Sequence, residues 1–289
     1  MRRSAIEDTT FIGPIDLLLR QGTLYVLDRG GNRVLALESA TGVSKWSVGG
    51  PGSGPAEFQE LMSFTMTEAG EVAALDVGNR RVTVLTGDGR IRFTEPLTPD
   101  ALVYSECHLR GGLRVGAIFD RKNGFVITGP EGAIRARFAT PWADLQDADP
   151  LLHQVVLTSA ESVCVAGGVR GGGLAVFDST GPTRSGRYVE TIALPEVIQT
   201  ERSATVSSAI DAARDVKVLG DTIFVLFGGA SELRGRVVDL YELSGLRYVS
   251  TRVLPGSAVS LAVAQGGILY VLANRRGVFE IAGLRFRPT

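Results

Sequence analysis

The chain has 289 residues, a formal net charge of -1 and 44% hydrophobic residues. This balance excludes a globally basic nucleic-acid binder, because such a protein gains its affinity by neutralising phosphates. No segment approaches the roughly 18 consecutive apolar residues that a membrane-spanning helix needs. The 36 glycines and the scarcity of helix-type periodicity favour many short strands joined by tight turns. We therefore expect an all-β protein with no nucleic-acid partner and no membrane span.

The start of the chain bears on where the protein resides. Arg2 and Arg3 would suit the beginning of a signal peptide, but Glu7 and Asp8 stand where its apolar region should begin. The chain as written is therefore expected to be cytoplasmic. A periplasmic or extracellular location follows if an export signal has been removed, and the sequence leaves this choice open.

A pattern of paired strands recurs six times along the chain. One apolar position in each copy marks the repeat, at spacings of 48, 43, 47, 61 and 46 residues: Leu27, Leu75, Ile118, Val165, Leu226 and Leu272. A period of about 40–50 residues is typical of β-propellers, in which each copy forms a four-stranded blade that stacks on its neighbours. The pattern predicts a single, monomeric six-bladed β-propeller of four-stranded antiparallel blades.

The two clearest copies come first in the chain. Residues 24–28 and 31–37 predict the second and third strands of one blade, and residues 72–76 and 78–85 predict those of the next. The predicted blades span residues 14–58, 59–100, 101–142, 143–195, 207–255 and 256–289, with an insertion at 196–213. We expect the polar run 199–208 in that insertion to be a disordered surface loop, with a lid over the channel mouth as the alternative.

Two features of the assembly stay open at this point. The last copy could supply all of its own strands, or the segment 6–12 could add an outer strand and close the ring. Cys107 and Cys164 are too few for a disulfide-stapled scaffold, so both are expected to be buried thiols. A single bridge between neighbouring blades is the alternative.

The first two copies resemble NHL repeats. The residues that carry the resemblance are Asp28, Asn32, Arg33 and Val34 in the first copy and Asp76, Asn79, Arg80 and Val82 in the second. Residues 49–58 resemble the glycine-rich link, ending in Glu-Phe, that joins blades in that family. Neither Trp46 nor Trp142 precedes an aspartate as a repeated blade marker, which argues against WD repeats. The resemblance implies a six-bladed NHL-type propeller.

The loops between second and third strands are rich in arginine. In propellers these loops lie with the blade links at one face of the central channel, where such folds usually bind. The candidate ligand-binding residues are Arg29, Arg33, Arg80, Arg121, Arg170 and Arg275. A rim of guanidinium groups suits a carboxylate, a phosphate or an acidic protein loop. The structural alternative is that these arginines bridge blades or pair with Asp28 and Asp76.

Imidazole chemistry is limited to His108 and His153, which we expect at the entry to the inner strands of consecutive blades. With Glu106 they form the candidate set for catalysis or for a two-histidine, one-carboxylate metal site. Neither histidine belongs to a motif with metal-ligand spacing. We therefore expect ordinary strand histidines, no catalytic residues, no metal and no cofactor.

Two hypotheses for function follow. The first is a non-enzymatic binding or scaffold propeller that recognises a protein, a peptide or a small anionic ligand at the loop face of the channel. The second is a hydrolase or lyase acting at the channel mouth. It would resemble the lactonase and strictosidine-synthase-like enzymes, but these typically carry a glutamate at the opening strand, and residues 11–15 contain no acid. The NHL-type lyases use several histidines around zinc, and this chain has two.

Overall fold

The structure is a computed structural model that describes residues 4–7, 11–120, 122–146, 148–190, 192–199, 204–206, 211–229, 232–275 and 277–285. Its strands form six four-stranded antiparallel sheets and one two-stranded sheet. The six larger sheets are the blades of a six-bladed β-propeller, which confirms the fold predicted from the repeat. No helix in these ranges is long and apolar enough to span a membrane.

The strands are numbered in chain order. β1 is Ser4–Glu7. Blade 1 comprises β2 (Pro14–Arg20), β3 (Thr23–Asp28), β4 (Arg33–Glu38) and β5 (Ser44–Gly49). Blade 2 comprises β6 (Leu61–Met66), β7 (Val72–Asp76), β8 (Arg81–Leu85) and β9 (Ile91–Pro96). Blade 3 comprises β10 (Val103–His108), β11 (Arg114–Ile118), β12 (Phe125–Thr128) and β13 (Ile134–Phe138).

Blade 4 comprises β14 (Val155–Ala160), β15 (Val163–Gly168), β16 (Gly173–Asp178) and β17 (Gly181–Arg187). A hairpin of β18 (Val197–Gln199) and β19 (Ala204–Val206) follows. Blade 5 comprises β20 (Ala213–Leu219), β21 (Thr222–Phe227), β22 (Val237–Glu242) and β23 (Tyr248–Val253). Blade 6 comprises β24 (Ser260–Ala264), β25 (Ile268–Arg275), β26 (Val278–Arg285) and β1.

The chain contacts separate into two compact units. Unit 1 contains residues 1–97 and 256–289, and unit 2 contains residues 98–255. In unit 1, buried side chains such as Leu27, Leu61 and Phe64 pack blade 1 against blade 2. In unit 2, Val176, Val216 and others pack blade 4 against blade 5. Each fully buried aliphatic or aromatic side chain contributes about 1.5–3 kcal/mol, so the stacking of blades supplies most of the stability.

The strand registers repeat from blade to blade. In blades 1 to 5 the pairing of the third and fourth strands contains a β-bulge one or two residues after the turn. The extra residues are Lys45, Arg92, Arg135, Thr183 and Val249. A bulge at the same place in five copies indicates that the copies are equivalent in backbone, even where their sequences have diverged.

The fourth strand of the last blade comes from the other end of the chain. β1 pairs antiparallel with β26, from Ser4 opposite Gly283 to Glu7 opposite Glu280, and completes the sheet of β24 to β26. Of the predicted closing segment 6–12, the strand takes only the beginning, and residues 8–10 lie outside the described part of the chain. Closure by the N-terminal segment was one of the two arrangements the sequence left open.

The expectation of a wholly disordered run at 199–208 is wrong in part. β18 and β19 pair antiparallel, with Val197 opposite Val206 and Gln199 opposite Ala204. Adjacent β-branched residues in both strands, Val197 and Ile198 in β18 and Thr205 and Val206 in β19, explain the pairing, since such residues favour strands. The residues between the two strands lie outside the described ranges.

The interpretation of both cysteines as thiols is also wrong. Cys107 on β10 and Cys164 on β15 form a disulfide, with a Cα–Cα distance of 6.1 Å and both residues fully buried. Backbone geometry permits the bridge because Cys107 lies on the face of blade 3 that packs on blade 4. There, the N–H of His108 donates to Ser159 Oγ at 3.0 Å.

Candidate functional site

In blade 1 the arginine loop is fixed by a buried carboxylate. Asp28 ends β3 and has no exposed surface. It accepts hydrogen bonds from the backbone N–H groups of Ile12 and Gly13, the latter at 2.7 Å, and from Arg33 Nε at 2.9 Å. Because the carboxylate joins a guanidinium to the incoming blade link, Arg33 holds the loop together. Arg33 thus pairs with Asp28, which was the alternative to ligand binding predicted from the sequence.

Blade 2 has the same arrangement, but its arginine is Arg81 and not Arg80, the residue that the repeat motif predicted. Asp76 accepts from the N–H groups of Gln59 and Glu60, and Arg81 Nε lies 3.7 Å from Asp76 Oδ2. Strand pairing places Arg33 opposite Asp28 and Arg81 opposite Asp76, so Arg81 is the counterpart of Arg33.

Arg80 instead occupies the position of Asn32. Both residues have positive φ, 51° for Arg80 and 47° for Asn32. The predicted match of Asn79-Arg80 with Asn32-Arg33 is therefore out of register by one residue. Counting five residues from each aspartate would have found Arg81, and Asn79 then takes the place of Gly31. Asn79 Nδ2 donates to Asp76 Oδ2 at 2.7 Å.

The other predicted arginines of unit 1 form surface ion pairs. Arg29 Nη2 lies 3.1 Å from Glu60 Oε1, and Arg275 Nε lies 3.4 Å from Glu280 Oε2. The two arginine side chains are 45% and 53% exposed, so each pair contributes at most about 1 kcal/mol. Arg121 lies outside the described residues.

Arg170 belongs to a cluster in the loops of unit 2. It follows β15, and its Nη1 lies 2.7 Å from Asp211 Oδ1 while its Nε donates to Gln154 Oε1 at 3.2 Å. Arg214, near the start of β20, places its Nε 3.6 Å from the other carboxylate oxygen of Asp211. Two guanidinium groups from neighbouring blades therefore share one carboxylate, and all three side chains are less than a quarter exposed.

The charge of a third guanidinium acts on this cluster. Burial holds the pKa of Arg214 below its usual value, Asp211 opposes that effect, and the positive charge of Arg234 adds to it. Arg234 is exposed, in the turn before β22. Only Arg170 was predicted as a ligand-binding candidate, and the sequence gives no signal that Arg170, Asp211 and Arg214 meet, because the first two are 41 residues apart. We name Arg170, Asp211, Arg214 and Arg234 the loop arginine cluster.

The candidate catalytic residues do not form one site. His153 precedes β14, where its Nε2 lies 2.7 Å from the carbonyl oxygen of Leu145 and its own carbonyl accepts from Tyr104 Oη. His108 ends β10 instead of entering it, which corrects the predicted placement. Tyr104 lies at the start of β10, four residues from His108, or about 13 Å along a strand. His108 and His153 therefore lie at opposite ends of their blades.

Glu106 and His108 do lie together. They occupy alternate positions on β10, so they share a face, and His108 Nε2 is 3.6 Å from Glu106 Oε1. β20 carries a similar pair, with Lys217 Nζ 2.9 Å from Asp215 Oδ1 and both side chains less than a tenth exposed. In both pairs an acidic and a basic residue stand two positions apart on the first strand of a blade. This spacing is visible in the sequence and predicts that the two side chains share a face. No group of three or more His, Cys, Asp or Glu side chains in the described residues is placed to hold a metal.

A cleft of 690 Å³ opens between blades 4 and 5, next to the hairpin turns of both blades. Glu161, Arg184 and Asp221 are among its lining residues. Arg184 Nη1 donates to the carbonyl of Ser244 at 2.7 Å, and Asp221 accepts from the backbone N–H and hydroxyl of the same serine. None of the site residues predicted from the sequence lines this cleft.

Comparison with known proteins supports the fold and nothing finer. No family model and no curated protein sequence matches the chain. Similar solved structures include a putative exported protein from Bacteroides fragilis (12% identity, TM-score 0.63, 99% of this chain and 95% of that one). Virginiamycin B lyase from Staphylococcus aureus is also similar (12% identity, TM-score 0.56, 100% and 89%). So are the WD40 repeats of RRP9 (13% identity, TM-score 0.57, 94% and 76%). At these identities the likeness is one of propeller fold, shared by a lyase and by WD40 proteins.

Proposed function

We propose that this chain is a non-enzymatic binding or scaffold propeller that recognises an acidic protein or peptide segment through the loop arginine cluster. Small anionic ligands would use the same groups. We also propose that its blades are NHL-type repeats, because Asp28–Arg33 and Asp76–Arg81 tie equivalent loops. The other predicted ligand-binding arginines, Arg29 and Arg275 among them, remain predictions.

One observation supports this proposal above others. Two largely buried guanidinium groups share the single carboxylate of Asp211, and the positive charge of Arg234 acts on one of them, Arg214. Guanidinium groups with little solvent bind carboxylates more strongly than exposed ones, since their planar donors match both carboxylate oxygens. Arg234, the exposed member, is the one that an incoming acidic side chain would meet first.

The test measures binding of a fluorescent Asp- and Glu-rich peptide by anisotropy, beside the same peptide with Asn and Gln. We expect the acidic peptide to bind more tightly and to lose affinity as salt rises. Replacing Arg234 by Gln should weaken binding about three- to tenfold, as expected for one rim charge.

Arg247→Gln is the matched control. Arg247 is also an exposed arginine of blade 5 and pairs with Glu242 in the hairpin turn between β22 and β23, so the substitution changes net charge equally. Equal weakening by both substitutions would mean that the peptide responds only to overall charge. Equal binding of the two peptides would refute recognition by the cluster.

An enzymatic function is the second candidate, and the Glu106–His108 pair on β10 favours it. If the pair supports turnover, His108→Ala should abolish activity in an assay of lactone or ester hydrolysis, with unfolding unchanged. His153→Ala is the control, because His153 bonds a backbone carbonyl elsewhere in unit 2. A binding protein should retain its peptide affinity in both variants.

A further inference from the structure

The outer edge of blade 5 differs from the outer edges of blades 1 to 4. Edge strands expose unpaired backbone groups, and proteins usually protect them with charges, prolines or bulges. β5 carries Lys45, β9 carries Arg92 and Pro96, β13 carries Arg135 and Arg137, and β17 carries Pro182 and Arg187. β23 has neither proline nor glycine, and Arg252 is its one charged residue.

The bulge position shows the difference most directly. The extra residue is basic in blades 1 to 3 and threonine in blade 4, but it is Val249 in blade 5. Val249 and Val253 are 51% and 49% exposed, and Tyr248 is 38% exposed. β23 is the last strand of its sheet, so these residues flank a row of backbone groups available for pairing.

The outward-facing backbone groups can be assigned from the register. The N–H of Leu254 donates to the carbonyl of Arg236, and inward and outward groups then alternate along an antiparallel pair. Val253 and Thr251, which lie opposite Val237 and Asp239, therefore direct their N–H and C=O groups away from blade 5.

We propose that β23 pairs antiparallel with β23 of a second copy of this chain, about a two-fold axis at Thr251. Counting outward from that residue places Val253 opposite Val249 of the second copy. Arg252 falls opposite Ser250, so the only charges on the two strands do not meet. The strand is thus self-complementary in hydrogen bonding and apolar contact, as a two-fold interface requires.

Sedimentation velocity of the full chain over about a hundredfold range of concentration tests the pairing. We expect the mass to rise from the 30.7 kDa of one chain towards twice that value. Val253→Pro removes one outward N–H without touching the ladder to β22 and should raise the dissociation constant at least about tenfold. Phe93→Lys, an exposed apolar residue of β9, is the control and should leave association unchanged.

If the Val253→Pro variant does not fold, Val253→Lys tests the same pairing. It keeps the backbone N–H and brings a charge against Val249 of the second copy. If both variants associate as tightly as the unsubstituted chain, the interface between copies does not include β23. A chain that stays monomeric throughout the range would overturn the proposal and leave the edge for a strand of another protein.

Cross-linking tests the register. Thr251→Cys would bring two thiols together on the axis, at a Cα–Cα distance of about 5.5 Å that a disulfide can span. Because both native cysteines are already bonded, the introduced thiol is the only free one. Cross-linking of Thr251→Cys no faster than that of Ser47→Cys, on the exposed face of β5, would contradict this register.

Discussion

Buried aspartates organise the loops of blades 1 and 2. A carboxylate without donors costs several kcal/mol when it is removed from water. Asp28 and Asp76 avoid that cost by accepting hydrogen bonds from backbone N–H groups of the blade link, and a guanidinium forms an ion pair with each carboxylate. The Asp–Arg pair that looks like a ligand site in the sequence therefore acts mainly as a tie between loop and link.

Adjacent arginines in blade 2 should have opposite effects on stability. Arg80 has φ of 51°, a conformation that asparagine adopts more easily, as Asn32 does in blade 1. Arg80→Asn should therefore raise the free energy of unfolding by up to about 1 kcal/mol. Arg81→Asn should lower it by about 1–3 kcal/mol, because Asp76 loses its guanidinium. Urea unfolding of the two variants checks the pair, and a loss of stability in both would contradict the assignment of Arg80 to the Asn32 position.

Asp239 predicts a pH-dependent stability. Burial raises its pKa above the ordinary 3.8, the hydroxyl of Thr251 opposes the shift, and the charge of Glu190 adds to it. Protonation therefore favours the folded state, and the ionised form opposes folding at neutral pH. Asp239→Asn keeps an acceptor for Thr251 and should raise the melting temperature at pH 7, with the gain vanishing below pH 3.8.

Asp88→Asn is the control of opposite sign. The hydroxyl of Thr86 holds the pKa of Asp88 below its ordinary value, so ionisation favours the folded state there. This substitution should lower the melting temperature at pH 7 and lose its effect in acid. A lower melting temperature for Asp239→Asn at pH 7 would mean that its charged hydrogen bond outweighs the cost of burial.

At the scale of elements, the strands that the sequence predicts are those marked by a local and repeated pattern. Residues 24–28 and 72–76 predict β3 and β7 because apolar runs bounded by turns mark buried strands. The meeting of Arg170 with Asp211 could not be predicted, since nothing local marks a contact between blade loops. The positions of the bulge residues could not be predicted either, because a bulge depends on the register with the partner strand.

The disulfide should contribute to stability by joining blades 3 and 4. It closes a loop of 57 residues, for which chain entropy gives about 4 kcal/mol. Replacing both cysteines by alanine should lower the free energy of unfolding by a similar amount, measured in urea. Since both sulfurs are fully buried, reductant should act only on chains that have unfolded. Equal stability of the two proteins would show that blade packing alone fixes this interface.

At the scale of the molecule, blade 6 depends on residues from both ends of the sequence. Removing residues 1–7 should expose the edge of β26 and lower the free energy of unfolding, because four paired residues of β1 are lost. Removal of residues 1–3 alone is the control, because it leaves β1 in place. A deletion of 1–7 without consequence would mean that blade 6 is stable with three strands.

The pairing of β1 with β26 also sets the order in which the protein can be completed on the ribosome. Residues 98–255 are contiguous, so unit 2 can fold as soon as they have emerged. Blades 1 and 2 emerge earlier, yet their unit cannot be completed until residues 256–285 have been made. Among the described strands, β1 thus waits longest for its partner, and during that interval the nascent chain carries open strand edges that favour engagement by a chaperone.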